Sequence, residues 1–295
     1  DWASTPRSGF GCGRWACSVA EAGSPLRELG VVHMVKVLPV INHPALSVQL
    51  DSERVLIVAD LHLGVEGELS TRGVSLPSQV PNVKRRLEEL IRKEKPDRLV
   101  LLGDVKHNVP ASTWQEWTEL PSLFRELSKL TEVEIVKGNH DGDIEGMVVP
   151  GVTVHGARGI VLGGKKRVGL MHGHTWPAPS LWKTELLICA HNHPAVEFRL
   201  GGRIIEPVWL RCQIDVSKLP TKQRKLVRKA PKLLVMPAFG ELVGGFPVNR
   251  SIPEGLLGPL FRSGAVRLSE AEVYLLDGAY LGRVRQLPGV NDFED

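Results

Sequence analysis

Apolar and polar positions alternate in blocks along the chain. Residues 54–59, 98–102 and 132–136 form short, mostly apolar runs, the length and character of buried strands. Between them, Val83, Leu87, Leu90 and Ile91 recur at helical spacing within 82–94, and Pro96 closes that segment. Residues 112–130 read as a second helix, interrupted at Pro121. This βαβαβ order predicts a parallel, doubly wound layer. After residue 145 the pattern shortens. Residues 152–155, 159–162, 167–171, 185–190, 196–200, 203–209 and 233–238 read as strands joined by Gly-rich turns. Residues 272–276 and 280–284 flank Asp277-Gly278 as a hairpin. This half is expected to pair mostly antiparallel.

The chain has 295 residues, 42% hydrophobic and 24% charged, an ordinary globular balance. Its 30 Gly and 21 Pro follow no period, which excludes collagen-like and coiled-coil classes. No window approaches 18 apolar residues, so no spanning helix is expected. No apolar stretch follows Arg7 and Arg14, so no signal peptide is expected. Four Cys make no disulfide framework; a reducing, cytoplasmic setting is the expectation. Residues 1–33 are rich in Gly, Ser and Ala without periodicity and are expected to be a poorly ordered extension. A metal site at Cys12 and Cys17 is disfavoured there, because two thiols without a nearby His bind zinc poorly.

The polar residues that matter follow the strands. They are Asp60-Leu61-His62, Gly103-Asp104, Gly138-Asn139-His140-Asp141, His172-Gly173-His174 and His191-Asn192-His193. Ligands of open α/β sheets bind at the carboxyl ends of strands. Six of the ten His lie in these motifs, which a purely structural use of His does not explain. Carboxylate, imidazole and amide donors without thiolate suit divalent first-row metals. Seven donors exceed the needs of one ion, and Asp104 is the natural bridge between two. A pair of ions roughly 3.5–4 Å apart clamps the attacking and leaving oxygens of a phosphoryl transfer.

In this order, D-x-H, GD, GNHD, HGH and H-x-H resemble the calcineurin-like metallophosphoesterase family. The strings ADLHLG at 59–64, GDVKHN at 103–108 and PAFGELVGG at 237–245 resemble archaeal phosphoesterases related to the SbcD nuclease subunit. They are also similar to bacterial ligase-associated DNA-repair phosphoesterases. The resemblance implies an α/β fold, a four-layer αββα sandwich with mixed sheets, over residues 34–295. It implies two divalent metal ions, manganese first, with zinc, iron or nickel as alternatives. Asp60, His62 and His193 would hold the first ion, Asp104 would bridge, and Asn139, His172 and His191 would hold the second. His140 would face the phosphate and protonate the leaving oxygen, with Asp141 orienting it. His174 would lie beside the second ion without binding it. Ala190 stands where the family usually has Gly before its last motif, which touches only the local turn.

Lys106 and His107, just past Asp104, are candidates for contact with substrate phosphate or for support behind the ligands. Glu66, Glu68 and Arg72 follow the first motif in a loop, as surface charge first and cleft lining as the alternative, and His43 and His155 carry no expected role. Trp114, Trp117, Trp176 and Trp182 read as packing or cleft-wall residues, one of the last two flanking the substrate. Residues 218–232 hold seven bases and no acid. Such a run can follow nucleic-acid phosphates or be a solvated face, and it lacks an aromatic to stack on bases.

The expected function is metal-dependent hydrolysis of phosphodiester bonds by a water activated between two metals. DNA or RNA is the candidate substrate, the role a nuclease in DNA repair with repair proteins as partners, and no membrane is involved. The alternatives are a small-molecule phosphodiesterase or phosphomonoesterase, and a non-catalytic scaffold. The sequence leaves the oligomeric state open.

Overall fold

The computed structural model describes residues 17–18, 35–164, 167–199, 201–250 and 258–289. Two sheets face each other. The first runs β1 (Cys17–Ser18), β2 (Lys36–Pro39), β3 (Ala45–Gln49), β4 (Arg54–Val58), β5 (Arg98–Leu101), β6 (Glu132–Val136) and β7 (Val152–His155) in spatial order. Strands β4 to β7 pair in parallel, and β1 to β4 antiparallel. Three helices, α1 (Val65–Thr71), α2 (Val80–Glu94) and α3 (Trp114–Leu127), belong to the crossovers.

The second sheet contains β8 (Ile160–Leu162), β9 (Val168–Met171), β10 (Leu186–Cys189), β11 (Pro194–Arg199), β12 (Arg203–Cys212), β13 (Lys232–Val235) and β14 (Phe246–Pro247). Its order is β14-β11-β12-β13-β10-β9-β8. The hairpin of β15 (Glu272–Leu275) and β16 (Tyr280–Arg283) joins at β12. Antiparallel pairs dominate this half, as expected, but β14 pairs in parallel with β11, and β9, β10 and β13 are mutually parallel. The latter exception places two metal-type motifs at the same end of adjacent strands.

The period-two alternation of strand side chains sorts these residues into separate cores. Leu56, Val58, Leu99, Leu101, Val133 and Ile135 pack under α2 and α3. Their neighbours Val55, Ile57, Val100, Leu102 and Val136 face the second sheet, meeting Leu186, Ile188, Leu234 and Trp209. Leu187, Cys189, Leu233 and Val235 point to the outer side of the second sheet. Each large aliphatic buried this way contributes about 1.5–3 kcal/mol. Strands buried on both faces explain the near-continuous apolar runs of the sequence.

Three expectations are corrected. The first sheet is not doubly wound: α2 and α3 share one face, because the second sheet covers the other. Pro121 lies inside α3 without ending it. The helix continues because Leu120, Leu123, Phe124 and Leu127 are all anchored in the core. Residues 65–71, expected as loop, form α1. The extension expected at 1–33 lies outside the described residues apart from 17–18, as do the side chains of Cys12 and Cys17.

Candidate metal centre

Pairing between the first two motifs continues past β4 and β5. Asp60 N–H donates to the Gly103 carbonyl (3.0 Å), His62 N–H to Asp104 (2.9 Å) and Leu63 N–H to Val105 (2.9 Å). The ladder survives although the chain turns left-handed at Asp60 (φ 53°), His62 (46°) and Asp104 (49°). His191 (70°) and His193 (40°) do the same at the end of β10. Among the described residues, seven non-glycine residues have positive φ, and five of them are predicted ligands. Each such residue costs of order 1–3 kcal/mol, and strain of this kind collects at functional sites.

Two motif glycines make the close approach possible. A Cβ on Gly103 would sit 2.3 Å from His172 Nδ1, and one on Gly138 would sit 2.1 Å from Asp104 Oδ1. The GD and GNHD motifs therefore use Gly so that the backbone can lie against the side chains of neighbouring motifs.

The side chains converge in three groups, one of them His62, His107 and His140, and two made of the predicted ligands. Donor atoms of Asp60, His62 and His193 lie within 4.8 Å of one another, and so do those of Asp104, His172 and His191. His193 Nε2 is 3.4 Å from Asp60 Oδ1, and His172 Nε2 is 3.0 Å from His191 Nδ1. Asp104 Oδ2 stands between these two ligand groups, 3.6 Å from His62 Nε2 and 3.2 Å from His172 Nε2. Backbone N–H groups hold both carboxylates. His191 N–H donates to Asp60 Oδ2 (3.1 Å) and His140 N–H to Asp104 Oδ1 (2.8 Å). His172 presents Nδ1 to the Leu102 carbonyl (3.1 Å), which turns Nε2 toward Asp104.

Asp60 Oδ1, His62 Nε2 and His193 Nε2 are buried without a hydrogen-bond partner. Interior polar atoms are normally paired, and a cation satisfies all three. Burial is the first cause that lowers His62 and His191, each to about 3, so both offer neutral lone pairs. At His172 burial also opposes charge. The Asp104 hydrogen bond and the charges of Asp60 and Asp104 outweigh it and raise His172 to about 9. Asp104 resists burial through the His172 hydrogen bond and is held below the carboxylate range.

The remaining candidates are spread around these groups. Asn139 is exposed and makes no side-chain hydrogen bond among the described residues. The His140 ring is half-buried, 4.8 Å from that of His62, with Nδ1 facing the His107 carbonyl. His174 stands with its ring 5.2 Å from His172 and its Nδ1 buried and unpartnered.

Asp141 does not orient the His140 ring. Its carboxylate accepts N–H groups of Gly138 (2.8 Å), Val105 (2.9 Å) and Lys106 (3.3 Å), so it fastens the third motif to the second. Lys106 is likewise no substrate contact: it is fully buried, with Nζ donating to the Asn108 carbonyl. Trp114 is exposed rather than packed, and Trp182 is buried in the outer core, bonded to Gln223. His155 pairs with Glu134 at 2.8 Å, a contact outside the centre.

Two acids support His107: Glu68, expected as surface charge or cleft lining, and Glu116, for which no role is expected. Glu68, on α1, holds His107 Nε2 at 2.6 Å. Buried Glu116 closes a capping box with Thr113 and accepts from the His107 and Asn108 N–H groups (3.1 and 2.9 Å). The Thr113-x-x-Glu116 spacing is the signal that points to Glu116; nothing in the sequence pairs Glu68 with His107.

A family profile described as Calcineurin-like phosphoesterase matches residues 53–235. No curated protein matches the chain. Among solved structures, the chain is similar to the nuclease MPE of Pseudomonas putida, with 20% identity, a TM-score of 0.45 and coverage of 82% of this chain and 97% of that one. It is also similar to Yfce, a phosphoesterase from E. coli, with 22% identity, a TM-score of 0.33 and coverage of 52% and 76%. Vacuolar Protein Sorting 29 from Cryptosporidium parvum aligns with 23% identity, a TM-score of 0.26 and coverage of 50% and 69%. Among the described residues, no helix is long and apolar enough to cross a membrane.

Proposed function

Because the chain belongs to the calcineurin-like phosphoesterase family, a family of metal-dependent hydrolases, we propose that it cleaves phosphodiester bonds at a centre for two divalent cations. The observation that carries this reading is Asp104 Oδ2 between two donor groups, with three buried ligand atoms nearby lacking a hydrogen-bond partner. Asp60, His62 and His193 would hold one cation, and His172, His191 and Asn139 the other, with Asp104 common to both. Bound there, the cations supply Lewis acidity, which neutralises phosphoryl charge and brings a water's pKa down to about 7.

The chain's own groups do the rest. His140 stands at the rim with its backbone tied to Asp104 and Nδ1 against the His107 carbonyl. That leaves Nε2 to bond a phosphoryl oxygen and to deliver a proton to the leaving oxygen. Glu68 and Glu116 keep the His107 loop beside it.

Manganese is proposed as the metal, since the donor set is nitrogen and oxygen only. A nuclease role in DNA repair is supported by the strings at 59–64, 103–108 and 237–245. A second reading, a small-molecule phosphodiesterase or phosphomonoesterase, is favoured by a pocket of about 330 Å3 beside His193, lined by Pro44, Pro194, Pro207, Arg86 and Phe239. The test is an activity panel of Mn, Zn, Mg and Ni against a generic diester, a monoester, single-stranded DNA and duplex DNA. Metal-dependent diester cleavage supports the proposal. Cleavage of the monoester alone supports the second reading, and no turnover with any metal overturns both.

A further inference from the structure

The metal-type motifs follow the carboxyl ends of β9 and β10. The amino ends of the same strands carry a different chemistry. Segment 218–232 enters β13 at Lys232, which pairs with Leu186 at the start of β10. Lys218, Lys222, Arg224, Lys225, Arg228, Lys229 and Lys232 are all exposed. Among the described residues none of the seven is in an ion pair.

The segment is anchored, not loose. Leu219 and Gln223 are buried, Val227 and Ala230 pack on the outer core, and Gln223 accepts from Trp182 Nε1 at 3.1 Å. Leu219 and Gln223 are buried and Val227 is partly buried, while the bases between them are exposed. Arg167, before β9, and Lys183, before β10, are exposed at the same edge. A cavity of about 420 Å3 opens beside Lys232, lined also by Arg211, Arg267 and Arg283. The acids nearby are mostly engaged: Asp215 with Arg267 (3.0 Å), Glu270 with Arg283 (2.7 Å) and Glu272 with Arg211 (3.2 Å). Glu185 is exposed and unpaired among the described residues.

We propose that this amino-end face docks the phosphate backbone of double-stranded nucleic acid. A spread row of unpaired cations on a fixed backbone matches a row of phosphates and releases their counterions on contact. Segment 218–232 has no aromatic side chain, so nothing there stacks on unpaired bases. Leu226 is the sole large apolar side chain exposed in it, too little to enter a bilayer. Five residue steps from Leu186 to His191 put the face roughly 16 Å from the metal centre. The face therefore tethers a duplex away from the bond being cleaved, and small diesters do not need it.

The test uses the full chain in EDTA, so it stands whether or not the phosphoesterase reading holds. Anisotropy of a fluorescein-labelled duplex of about 30 base pairs is followed from about 50 to 200 mM KCl, a range over which phosphate contacts lose affinity steeply. The variant Lys222→Glu/Arg224→Glu/Lys225→Glu/Arg228→Glu is expected to bind at least about tenfold more weakly with a flatter salt slope. Its turnover of bis(p-nitrophenyl) phosphate is expected to match the parent. The neutral pair Lys225→Gln/Arg228→Gln, checked for an unchanged melting curve, gives a smaller loss and covers misfolding of the first. Duplex affinity within twofold of the parent in both variants overturns the proposal. So does equal affinity for single strands, or tighter binding to phosphatidylserine vesicles or polyglutamate than to duplex.

Discussion

His62 Nδ1 lies 3.2 Å from His107 Nδ1. One of the two nitrogens must carry the hydrogen. Glu68 decides which, because its carboxylate takes the Nε2–H of His107 at 2.6 Å. His107 Nδ1 then accepts from His62, and His62 Nε2 is left as a bare lone pair near Asp104. Support behind a metal-binding His fixes its tautomer and typically carries 10- to 100-fold in metal affinity. Glu68→Leu is therefore expected to weaken Mn2+ binding by about that factor, with Nε2–H rising in the 15N spectrum of the metal-free His62 ring. Unchanged affinity and an unchanged tautomer would show that Glu68 is only surface charge.

Gly103 and Gly142 make a matched pair for testing the close approach. A Cβ at Gly103 meets the His172 ring and a φ of +83°, whereas one at Gly142 meets nothing within 4 Å. Urea unfolding of the metal-free protein is expected to show Gly103→Ala destabilised by at least about 1–3 kcal/mol and Gly142→Ala within about 0.5 kcal/mol. Equal effects would mean that the motif glycine is not under steric demand.

Asp141→Asn separates a fastening role from a catalytic one. The carboxylate receives three backbone N–H groups, and an amide offers only one acceptor oxygen. Unfolding stability is expected to fall by about 1–3 kcal/mol, the range for a buried donor left unsatisfied. His140→Ala, by contrast, is expected to keep both cations and stability while turnover falls about 10²- to 10⁴-fold. A stable Asp141→Asn with the kinetics of His140→Ala would restore the pairing that the hydrogen bonds argue against.

Away from the centre, buried Glu197 is gripped by Arg203 (2.7 Å), Arg199 (2.9 Å) and Arg250 (3.0 Å). The hydrogen bonds of Arg203 and then Arg199 bring its carboxyl down to about 2. A depressed acid contributes stability above its unfolded pKa and loses it as pH falls through the folded value. The difference between parent and Glu197→Gln is expected to be full above about pH 5 and to vanish toward pH 2. Urea midpoints across that range check it, and a difference that persists at the acid end contradicts it.

Much of this architecture was readable before any coordinates. Residues 132–136 and 152–155 are strands with the expected bounds, because apolar runs of that length fit little else. Asp60, His62, His172, His191 and His193 converge because each follows a parallel strand at one end of a sheet. The rest depended on tertiary context. Pro121 reads as a helix breaker locally, yet four buried neighbours hold α3 through it. Helix α1 has too few apolar positions to show a period, so Glu66 and Glu68 looked like loop charge. Asp141 follows His140 in sequence, but the Gly138 N–H within its own motif and the approach of residues 105–106 take its carboxylate to the backbone.

The proposed hydrolysis requires Asp104 to join two cations. Electron paramagnetic resonance of the metal-free protein titrated with Mn2+ tests this directly, because only ions sharing a bridge give an exchange-coupled spectrum. The expected result is a coupled signal that saturates at two equivalents in the parent and is absent in Asp104→Asn. Saturation at one equivalent, or two ions with uncoupled spectra in the parent, would contradict it.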